Sequence, residues 1–345
     1  MNLPAKKENA VRAVEISSDR SLRLVDLPEE PLLPGQVRIA VRLAGICGSD
    51  LHMRDMPEIS PGVVMGHEFM GLVSELGPGT EGWTVGERVV VNPLDPCGDC
   101  RLCRAGRTPL CGNAVPGGIG LGARRGAYAE SVVVRKERLF RLPDHVTDTD
   151  GAVVEPLAVA VHGVRIAGVG PQDKCVVIGA GPVGIMTACA LRAAKLEPVA
   201  VVDPADVRRQ LAADLGFPTA QGIDGPDAGE LLPDGVDVVF DCTGHPAVIG
   251  AVMQVLNPAG RVIVLGVPMA SSSVHLGWVA AREIEIRGSL GYTDDDFATA
   301  IDYLASGAIS VPNFVTTVDS LDRADYWFGE LTSGRTDQVK VLLRP

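Results

Sequence analysis

The amino-acid sequence predicts an α/β protein with two domains, the first mostly β and barrel-like, the second a doubly wound parallel sheet. The chain has 345 residues, and one domain commonly takes about 100–200, which favours two domains. Up to about residue 150, short β-branched runs are separated by Gly and Pro, as is typical of a compact β domain. From about residue 163 such runs alternate with helical stretches, which predicts βαβ units and a parallel sheet.

The predicted elements can be placed along the chain. In the first domain we expect strands at 37–43, 71–76, 88–92 and 131–135. In the second domain we expect strands at 174–178, 198–202, 236–240 and 261–265. Helices are expected between these strands at 182–194 and 207–215, and a last helix at 296–306 precedes strands that end at 339–343.

Charge and hydropathy exclude several classes of partner. The formal net charge is -12, and an acidic surface repels phosphate backbones, so nucleic-acid binding is not expected. No apolar run approaches the ~18 residues that indicate a membrane span. No apolar stretch follows Lys6 and Lys7, so a signal peptide is not expected either. The sequence therefore predicts a cytoplasmic protein without a membrane partner.

A glycine-rich turn predicts a dinucleotide site in the second domain. The strand at 175–178 runs into Gly-Ala-Gly-Pro-Val-Gly, and a helix follows. In this G-x-G-x-x-G pattern Gly179 allows a tight turn, Gly181 lets the backbone approach a pyrophosphate, and Gly184 lets the helix pack closely on the strand. The free N–H groups at the start of the helix can then bind phosphate.

The acid expected after such a turn is also present. The next strand ends in Asp203, close to the spacing of ~20 residues at which a carboxylate binds the adenosine ribose. This carboxylate repels a 2′-phosphate, which favours NAD over NADP. Arg208 and Arg209 follow, and they could stack on adenine or change that preference. The alternative is a plain βα turn without a ligand.

The cysteines predict a closed metal site. Eight are present, and Cys97, Cys100, Cys103 and Cys111 lie within fifteen residues. Disulfide frameworks are expected in short secreted chains, whereas a tight cluster in a chain of this length indicates metal binding. Four thiolates form the tetrahedral shell of a structural zinc. An iron–sulfur cluster or four unligated thiols are the alternatives.

A sparser set predicts a catalytic zinc. Cys47 lies in Gly-Ile-Cys-Gly-Ser-Asp-Leu-His, and His67 and Glu68 lie in Gly-His-Glu-Phe. One Cys, one His and one carboxylate give three protein ligands and leave a fourth position for water or an alcohol. Taken alone, a single Cys–His pair is more often structural.

These motifs, in this order, resemble the zinc-containing medium-chain alcohol dehydrogenases over essentially the whole chain, most closely the sorbitol, threonine and butanediol dehydrogenase branch. The resemblance implies a GroES-like catalytic domain at residues 1–160, with a structural zinc lobe at about 95–113. It also implies a Rossmann NAD-binding domain at 161–297 and a C-terminal part at 298–345 that completes the catalytic domain. The extension before Val11 and the loop around 53–61 depart from the family pattern.

The resemblance further implies residue roles. Cys47 and His67 match ligands of the catalytic zinc, Glu68 or Glu155 supplies a carboxylate, and Asp50 positions a ligand histidine. We expect the alcohol proton to pass to Ser49, then to the ribose hydroxyls and then to His52. The expected cofactor contacts, some of which could instead be plain strand ends, are Gly179, Gly181, Val183, Gly184, Asp203, Arg208, Leu265, Gly266, Val267, Ser289 and Leu290.

The expected reaction is oxidation of a secondary alcohol to a ketone, with NAD and two zinc ions per subunit, one catalytic and one structural. The substrate class covers a polyol, a vicinal diol, an amino alcohol and an aminocyclitol. Alternatives are a threonine 3-dehydrogenase-type enzyme, a zinc-free reductase of the same superfamily, and a non-catalytic protein that binds NAD and zinc. The resemblance also implies a homodimer or homotetramer formed through the nucleotide-binding sheet.

Overall fold

A computed structural model describes residues 10–197, 199–223, 231–310, 314–334 and 336–345. The N-terminal segment with Lys6 and Lys7, and Pro198 of a predicted strand, lie outside the described residues. The chain forms two compact units. The first runs as far as Glu155 and resumes at Val315–Pro345, and the second is Pro156–Phe314. The second unit is therefore an insertion in the first.

The first unit contains a two-stranded and a seven-stranded sheet. Its strands are β1 (Ala10–Ile16), β2 (Leu22–Pro28), β3 (Gln36–Gly45), β4 (Glu68–Leu76), β5 (Arg88–Val91), β6 (Ser131–Arg135), β7 (Leu139–Arg141), β14 (Val315–Ser320) and β15 (Lys340–Arg344). β1 pairs with β2, and the larger sheet has the order β14-β15-β3-β4-β5-β7, with β6 also paired to β3. All these pairs are antiparallel except β14 with β15.

The helices of the first unit are short. They are α1 (Gly48–Asp55), α2 (Arg101–Arg104), α3 (Asp148–Gly151) and α10 (Ala324–Ser333), and α4 (Val154–Ala167) crosses the boundary into the second unit. Single 3-10 turns occur at Thr108–Leu110, Lys136–Arg138 and Leu321–Arg323. Within the part of the chain that the structure describes, no helix is long and apolar enough to cross a membrane.

One apolar core holds the first unit together. It includes Ile39 of β3 and Phe69 of β4, and also Phe328 and Leu343 from the end of the chain, all nearly inaccessible to solvent. Burying a side chain of this size stabilises the fold by about 1.5–3 kcal/mol. The last thirty or so residues therefore belong to the same core as the first strands.

The second unit is a six-stranded parallel sheet. Its strands are β8 (Cys175–Ile178), β9 (Val199–Val202), β10 (Thr219–Ala220), β11 (Val236–Asp241), β12 (Leu256–Val264) and β13 (Glu285–Gly288). Its described helices are α5 (Pro182–Ala193), α6 (Asp206–Asp214), α7 (Val248–Val252), α8 (Leu276–Arg282) and α9 (Asp294–Ala305). The strand order is β10-β9-β8-β11-β12-β13, so the predicted doubly wound α/β fold is confirmed.

The strand register aligns the carboxyl ends of this sheet. Ile178 is paired with Val202 on one side and with Asp241 on the other, and Asp241 is paired with Val264, which is paired with Gly288. The chain winds outward from β8 in one direction and then from β11 in the other. Ligands of such sheets bind at this reversal, beyond the carboxyl ends of the strands.

The second unit continues past residue 297, where the sequence placed its end. Asp296 on α9 is buried and accepts hydrogen bonds from Arg165 of α4 at 2.6 Å, and it lies 2.7 Å from the ring nitrogen of His162. These contacts tie α9 to α4 within the unit. The chain consequently returns to the first unit only at Val315.

Candidate active site

Three side chains meet where β3 ends and β4 begins. Gly45, the last residue of β3, is paired with Glu68, the first residue of β4, and His67 directly precedes that strand. Cys47 caps the start of α1. As a result, the donor atoms of Cys47, His67 and Glu68 lie within 4.8 Å of one another. A thiolate, an imidazole and a carboxylate at this spacing form the donor set of a zinc site with one open position.

The electrostatics of this group also suit a cation. His67 is 3% exposed and Glu68 is 1% exposed. Burial raises the pKa of the Cys47 thiol, and the charge of Glu68 raises it further, whereas His67 lowers it. Burial by itself would lower the pKa of His67, but Asp50 and Cys47 raise it well above its usual value. A bound Zn²⁺ would favour the thiolate of Cys47 and displace the proton from the ligating nitrogen of His67.

The imidazole of His67 is oriented for binding through Nε2. Its Nδ1 lies 3.3 Å from Asp50 Oδ1, at the outer limit of a hydrogen bond, while its Nε2 lies 3.5 Å from Ser49 Oγ. Among the described residues, neither Nδ1 nor Asp50 Oδ1 has a better-placed partner. A carboxylate facing Nδ1 keeps the proton on that nitrogen and leaves the Nε2 lone pair for a metal.

The predicted relay residues lie on the helix that begins at Cys47. Ser49 and His52 are three residues apart in α1 and so share one face of the helix, and both side chains are exposed. Asp50, between them, is fully buried and forms the capping interaction with the Cys47 N–H at 3.0 Å. The structure thus places Ser49 beside the His67 ring and His52 one helical turn further along.

Sequence reasoning missed Lys340, the first residue of β15. The side chain is 1% exposed, and its ammonium group contacts Glu68 Oε2 and donates a hydrogen bond to the Ile46 carbonyl at 3.0 Å. Gly45 leaves the space for this pair, since a Cβ there would lie 2.5 Å from Glu68 Oε2 and 2.9 Å from Lys340 Cε. The sequence signal was a lysine between Val339 and Val341, because a lysine is fully buried almost only when it is paired.

The two candidate glutamates are placed differently. Glu155 is 8% exposed at the start of α4, and its charge helps to raise the pKa of Lys340, which burial alone would lower. It is not one of the three described residues whose donor atoms meet. In this structure the carboxylate grouped with Cys47 and His67 is that of Glu68.

The four-cysteine loop forms a second donor group. The sulfur of Cys97 lies 3.6 Å from that of Cys111 and 4.0 Å from that of Cys103, and all four donor atoms lie within 4.8 Å of one another. Tetrahedral zinc with Zn–S bonds of about 2.3 Å requires sulfurs about 3.8 Å apart. Backbone N–H groups of Cys97 and Asn113 point at the Cys111 sulfur and lower its pKa to about 6. The loop is therefore arranged to hold four thiolates around one ion.

Each glycine of the dinucleotide turn has its own steric reason. Gly179 has a φ of +95°, which side chains other than glycine rarely adopt. A Cβ on Gly184 would lie 1.7 Å from the Gly179 carbonyl oxygen, so only glycine lets α5 approach the turn. A Cβ on Gly181 would meet nothing within 4 Å. This open space above the turn fits the pyrophosphate of a dinucleotide.

Asp203 follows β9 at the same edge of the sheet. Its carboxylate accepts hydrogen bonds from the N–H of Ala180 in the glycine turn and from the N–H of Ala205, both at 2.8 Å. Arg208 on α6 lies 3.9 Å away and is half exposed. These bonds hold the carboxylate beside the turn, and the remaining lone pairs can accept ribose hydroxyls.

Most of the remaining predicted cofactor residues follow β12 and β13, and Val183 lies in α5. Leu265 and Gly266 both donate from their backbone N–H groups to the Asp241 carbonyl, and Ser289 donates to the Val264 carbonyl. Val267 and Leu290 are more than half exposed beyond these strand ends. Val183, in the first turn of α5, is partly exposed beside the glycine turn. The structure thus brings every predicted cofactor residue to the carboxyl edge of one sheet.

Comparisons with known proteins agree with this geometry. Family models match at residues 33–144 (Alcohol dehydrogenase GroES-like domain) and 182–306 (Zinc-binding dehydrogenase). The 2-dehydro-3-deoxy-L-galactonate 5-dehydrogenase of Pseudoalteromonas atlantica is 36% identical, over 90% of this chain and 91% of its own length. The (R,R)-butanediol dehydrogenase of Bacillus subtilis is 33% identical, over 97% of this chain and 100% of its own. A crystal structure from E. coli CFT073, described as a short chain alcohol dehydrogenase in complex with NADH, has a TM-score of 0.90 and 26% identity, and the match covers 98% of this chain and 100% of that one.

These matches define the class as dehydrogenases that combine a GroES-like domain with a nucleotide-binding Rossmann domain. Within this class, the chain belongs to the family of zinc-containing medium-chain alcohol dehydrogenases. The resemblance drawn from its motifs is confirmed, and zinc and a nicotinamide dinucleotide are the cofactors that go with the family.

Proposed function

We propose that this protein oxidises a secondary alcohol to a ketone with NAD, and that the alcohol is a polyol, a vicinal diol, an amino alcohol or an aminocyclitol. The observation that carries the proposal is the meeting of Cys47, His67 and Glu68 at a spacing that leaves one metal position open. The relatives named for butanediol and for a sugar-acid substrate support this substrate class. Both act, by their names, as dehydrogenases.

Different residues of the centre would bind the metal and transfer the proton. Cys47, His67 and Glu68 would hold the metal, which when bound would supply the Lewis acidity that lowers the pKa of an alcohol hydroxyl. Glu155 is the second carboxylate available to the centre. The Ser49 hydroxyl lies 3.5 Å from His67 Nε2. It would accept the proton of the substrate hydroxyl while it passes its own proton to the ribose hydroxyls of the cofactor, and from there to His52. His52, exposed on the same face of α1, would receive that proton and release it to solvent.

The substrate proposal is tested by NADH formation with a panel of sorbitol, xylitol, threonine, butanediol and aminocyclitols, with and without a chelator. We expect chelator-sensitive turnover with one of these classes. Turnover with threonine alone would identify a threonine 3-dehydrogenase-type enzyme. No turnover in protein that binds zinc and NAD would contradict the proposed reaction and favour a non-catalytic binding protein.

The relay is tested by two variants with a matched control. Ser49→Ala should lower kcat by about 10²–10⁴, the range of general acid–base catalysis, while zinc content stays normal. His52→Ala should also lower kcat, because it removes the last proton acceptor of the relay. His145→Ala, which removes another exposed histidine of the first unit, should change neither quantity. Full activity in His52→Ala would remove this residue from the relay.

We also propose two zinc ions per subunit and a preference for NAD over NADP. Two separate donor groups, Cys47 with His67 and Glu68, and the four-cysteine loop, support the zinc count. The carboxylate of Asp203 beside the glycine turn supports the preference, because it repels a 2′-phosphate. Thiolates that bind zinc must stay reduced, which supports the cytoplasm as the compartment.

The assembly that we propose is a homodimer formed through the second unit. β13 lies at the edge of the parallel sheet, and all its side chains are exposed, including Ile286. Leu276, Trp278 and Leu290 are 73%, 41% and 56% exposed in the segments around this strand. An unpaired edge flanked by apolar side chains favours pairing with the same edge of a second copy.

A further inference from the structure

A buried phenol lies behind the proposed metal ligands. Tyr128 is 0% exposed, and its ring meets Phe328 edge-on with 6.0 Å between centroids. The Tyr128 N–H donates to the Met65 carbonyl at 3.0 Å, and the Tyr128 carbonyl accepts from the Val14 N–H at 2.7 Å. Gly66, next to His67, has a φ of +98°, and a Cβ there would lie 2.7 Å from Tyr128 Cδ1. Packing thus fixes the phenol directly against the segment that carries His67.

The hydroxyl of Tyr128 is hydrogen-bonded to Asp50, the carboxylate that faces His67. It donates to Asp50 Oδ2 at 2.6 Å, and the Gly45 carbonyl lies 3.1 Å away as a second acceptor. A phenol has one proton to donate, and the shorter bond to the charged oxygen is the stronger one. The Cys47 N–H donates to the same Oδ2 at 3.0 Å. One oxygen of Asp50 therefore has two donors, and the other oxygen faces, among the residues that the structure describes, only His67 Nδ1.

Because the two oxygens of Asp50 have different partners, the orientation of the His67 ring is restricted. Asp50 is completely buried, so its carboxylate cannot turn without leaving donors unpaired in a dry environment. While Oδ2 is held, Oδ1 stays directed at His67 Nδ1. We infer that Tyr128 is a positioning residue of the metal centre, whose hydroxyl holds Asp50 so that Asp50 can orient His67. The inference rests on the proposed function of this centre.

The test is Tyr128→Phe in the full-length protein, which removes one oxygen and keeps the ring packed on Phe328. Zinc affinity of the centre is measured by competition with a chromophoric chelator, with zinc in the four-cysteine loop as the internal reference. Loss of a group that directly supports a metal ligand weakens metal affinity by about 10–100-fold, so we expect a smaller loss here, up to about 10-fold. Tyr303→Phe, which removes the hydroxyl of a partly buried tyrosine in the second unit, should leave zinc affinity unchanged.

A double-variant cycle separates positioning from general packing. If Tyr128 acts through Asp50, then Asp50→Asn with Tyr128→Phe should lose no more zinc affinity than Asp50→Asn alone. Fully additive losses, or wild-type zinc affinity in Tyr128→Phe, would overturn the inference. Nuclear magnetic resonance of ¹⁵N-histidine-labelled protein gives a second measurement that does not need Asp50→Asn to fold. In the zinc-loaded protein it should show a weaker hydrogen bond from His67 Nδ1–H in Tyr128→Phe, seen as an upfield shift of that proton, and an unshifted proton would also overturn the inference.

These measurements do not depend on finding the substrate. If no alcohol is oxidised but Tyr128→Phe weakens zinc binding as expected, the proposed reaction fails and the positioning role stands. If an alcohol is oxidised and zinc affinity is unchanged, the positioning role fails and the proposed reaction stands.

Discussion

Lys340 provides a resident positive charge beside the residues that would bind zinc. Its ammonium group pairs with Glu68. The pair fits without a steric clash because Gly45 lacks a side chain. Before metal binds, this lysine is the cation that offsets the buried carboxylate of Glu68. Breaking a buried pair by removing one partner is far more destabilising than replacing both partners, because the remaining charge is left uncompensated.

We therefore predict that Lys340→Met destabilises the metal-free protein by about 3–5 kcal/mol, the usual loss for one partner of a buried pair. The measurement is urea unfolding of chelator-treated protein. Lys174→Met is the control, since Lys174 pairs with the exposed Asp234 at 2.7 Å and should lose no more than about 1 kcal/mol. Adding Glu68→Gln to Lys340→Met should restore part of the stability. Equal losses for the two lysines would contradict the prediction.

Cys47 provides a direct test of the number of metal sites. We predict that Cys47→Ala lowers the zinc content from two ions per subunit to about one, because the thiolate is the strongest of the three ligands while the four-cysteine loop is intact. Metal analysis after exhaustive dialysis gives the result. Cys242→Ala, which removes a thiol in the second unit, should retain both ions. An unchanged zinc content in Cys47→Ala would remove Cys47 from the ligand set.

At the scale of elements, two glycines of the turn after β8 are present for different steric reasons, although the sequence motif treats them alike. Gly184 is required by the fold, because a Cβ there would lie 1.7 Å from the Gly179 carbonyl oxygen. Gly181 is not required by the fold, because a Cβ would point into open space, and its φ of -72° suits any residue. A glycine at that position leaves room for the proposed pyrophosphate.

From this difference we predict that the two alanine variants differ in stability. Gly181→Ala should keep its stability within about 0.5 kcal/mol, as surface substitutions do. It should also weaken NAD binding at least about tenfold, a loss of about 1.4 kcal/mol. Gly184→Ala should weaken NAD binding and, unlike Gly181→Ala, should also lower the melting temperature, because α5 must move away from the turn. Thermal unfolding and NAD titration of both variants give the answer, and normal NAD binding by Gly181→Ala would contradict the assignment of the site.

At the scale of the whole molecule, the edge strand β13 predicts how copies assemble. We expect a dimer in sedimentation experiments and a shift towards monomer in Ile286→Lys, since a charge at the centre of the edge opposes pairing of two sheets. Leu33→Lys is the control, because Leu33 is 59% exposed in the first unit and should not affect assembly. A wild-type monomer, or a dimer that is unaffected by Ile286→Lys, would contradict the proposed interface.

Much of the fold and of the site could be predicted because its signals are local. The strands expected at 37–43 and 71–76 lie within β3 and β4, and the helix expected at 296–306 corresponds to α9. The glycine turn and the four-cysteine loop are each contained in a few consecutive residues, so their spacing alone restricts what they can bind. The doubly wound sheet was predictable because strands and helices alternate along the chain.

Contacts between distant parts of the chain were decided by the tertiary structure. Lys340 meets Glu68 because β15 pairs with β3, with Leu342 opposite Gly45, although the two residues are 272 positions apart. Tyr128 reaches Asp50 for a similar reason, because its backbone is bonded to the segment before His67. Sequence spacing carries no information about such pairings, since register depends on which strands become neighbours. The sequence by itself determined which donors and turns are present, and the packing of β3, β4 and β15 decided which buried charges face one another.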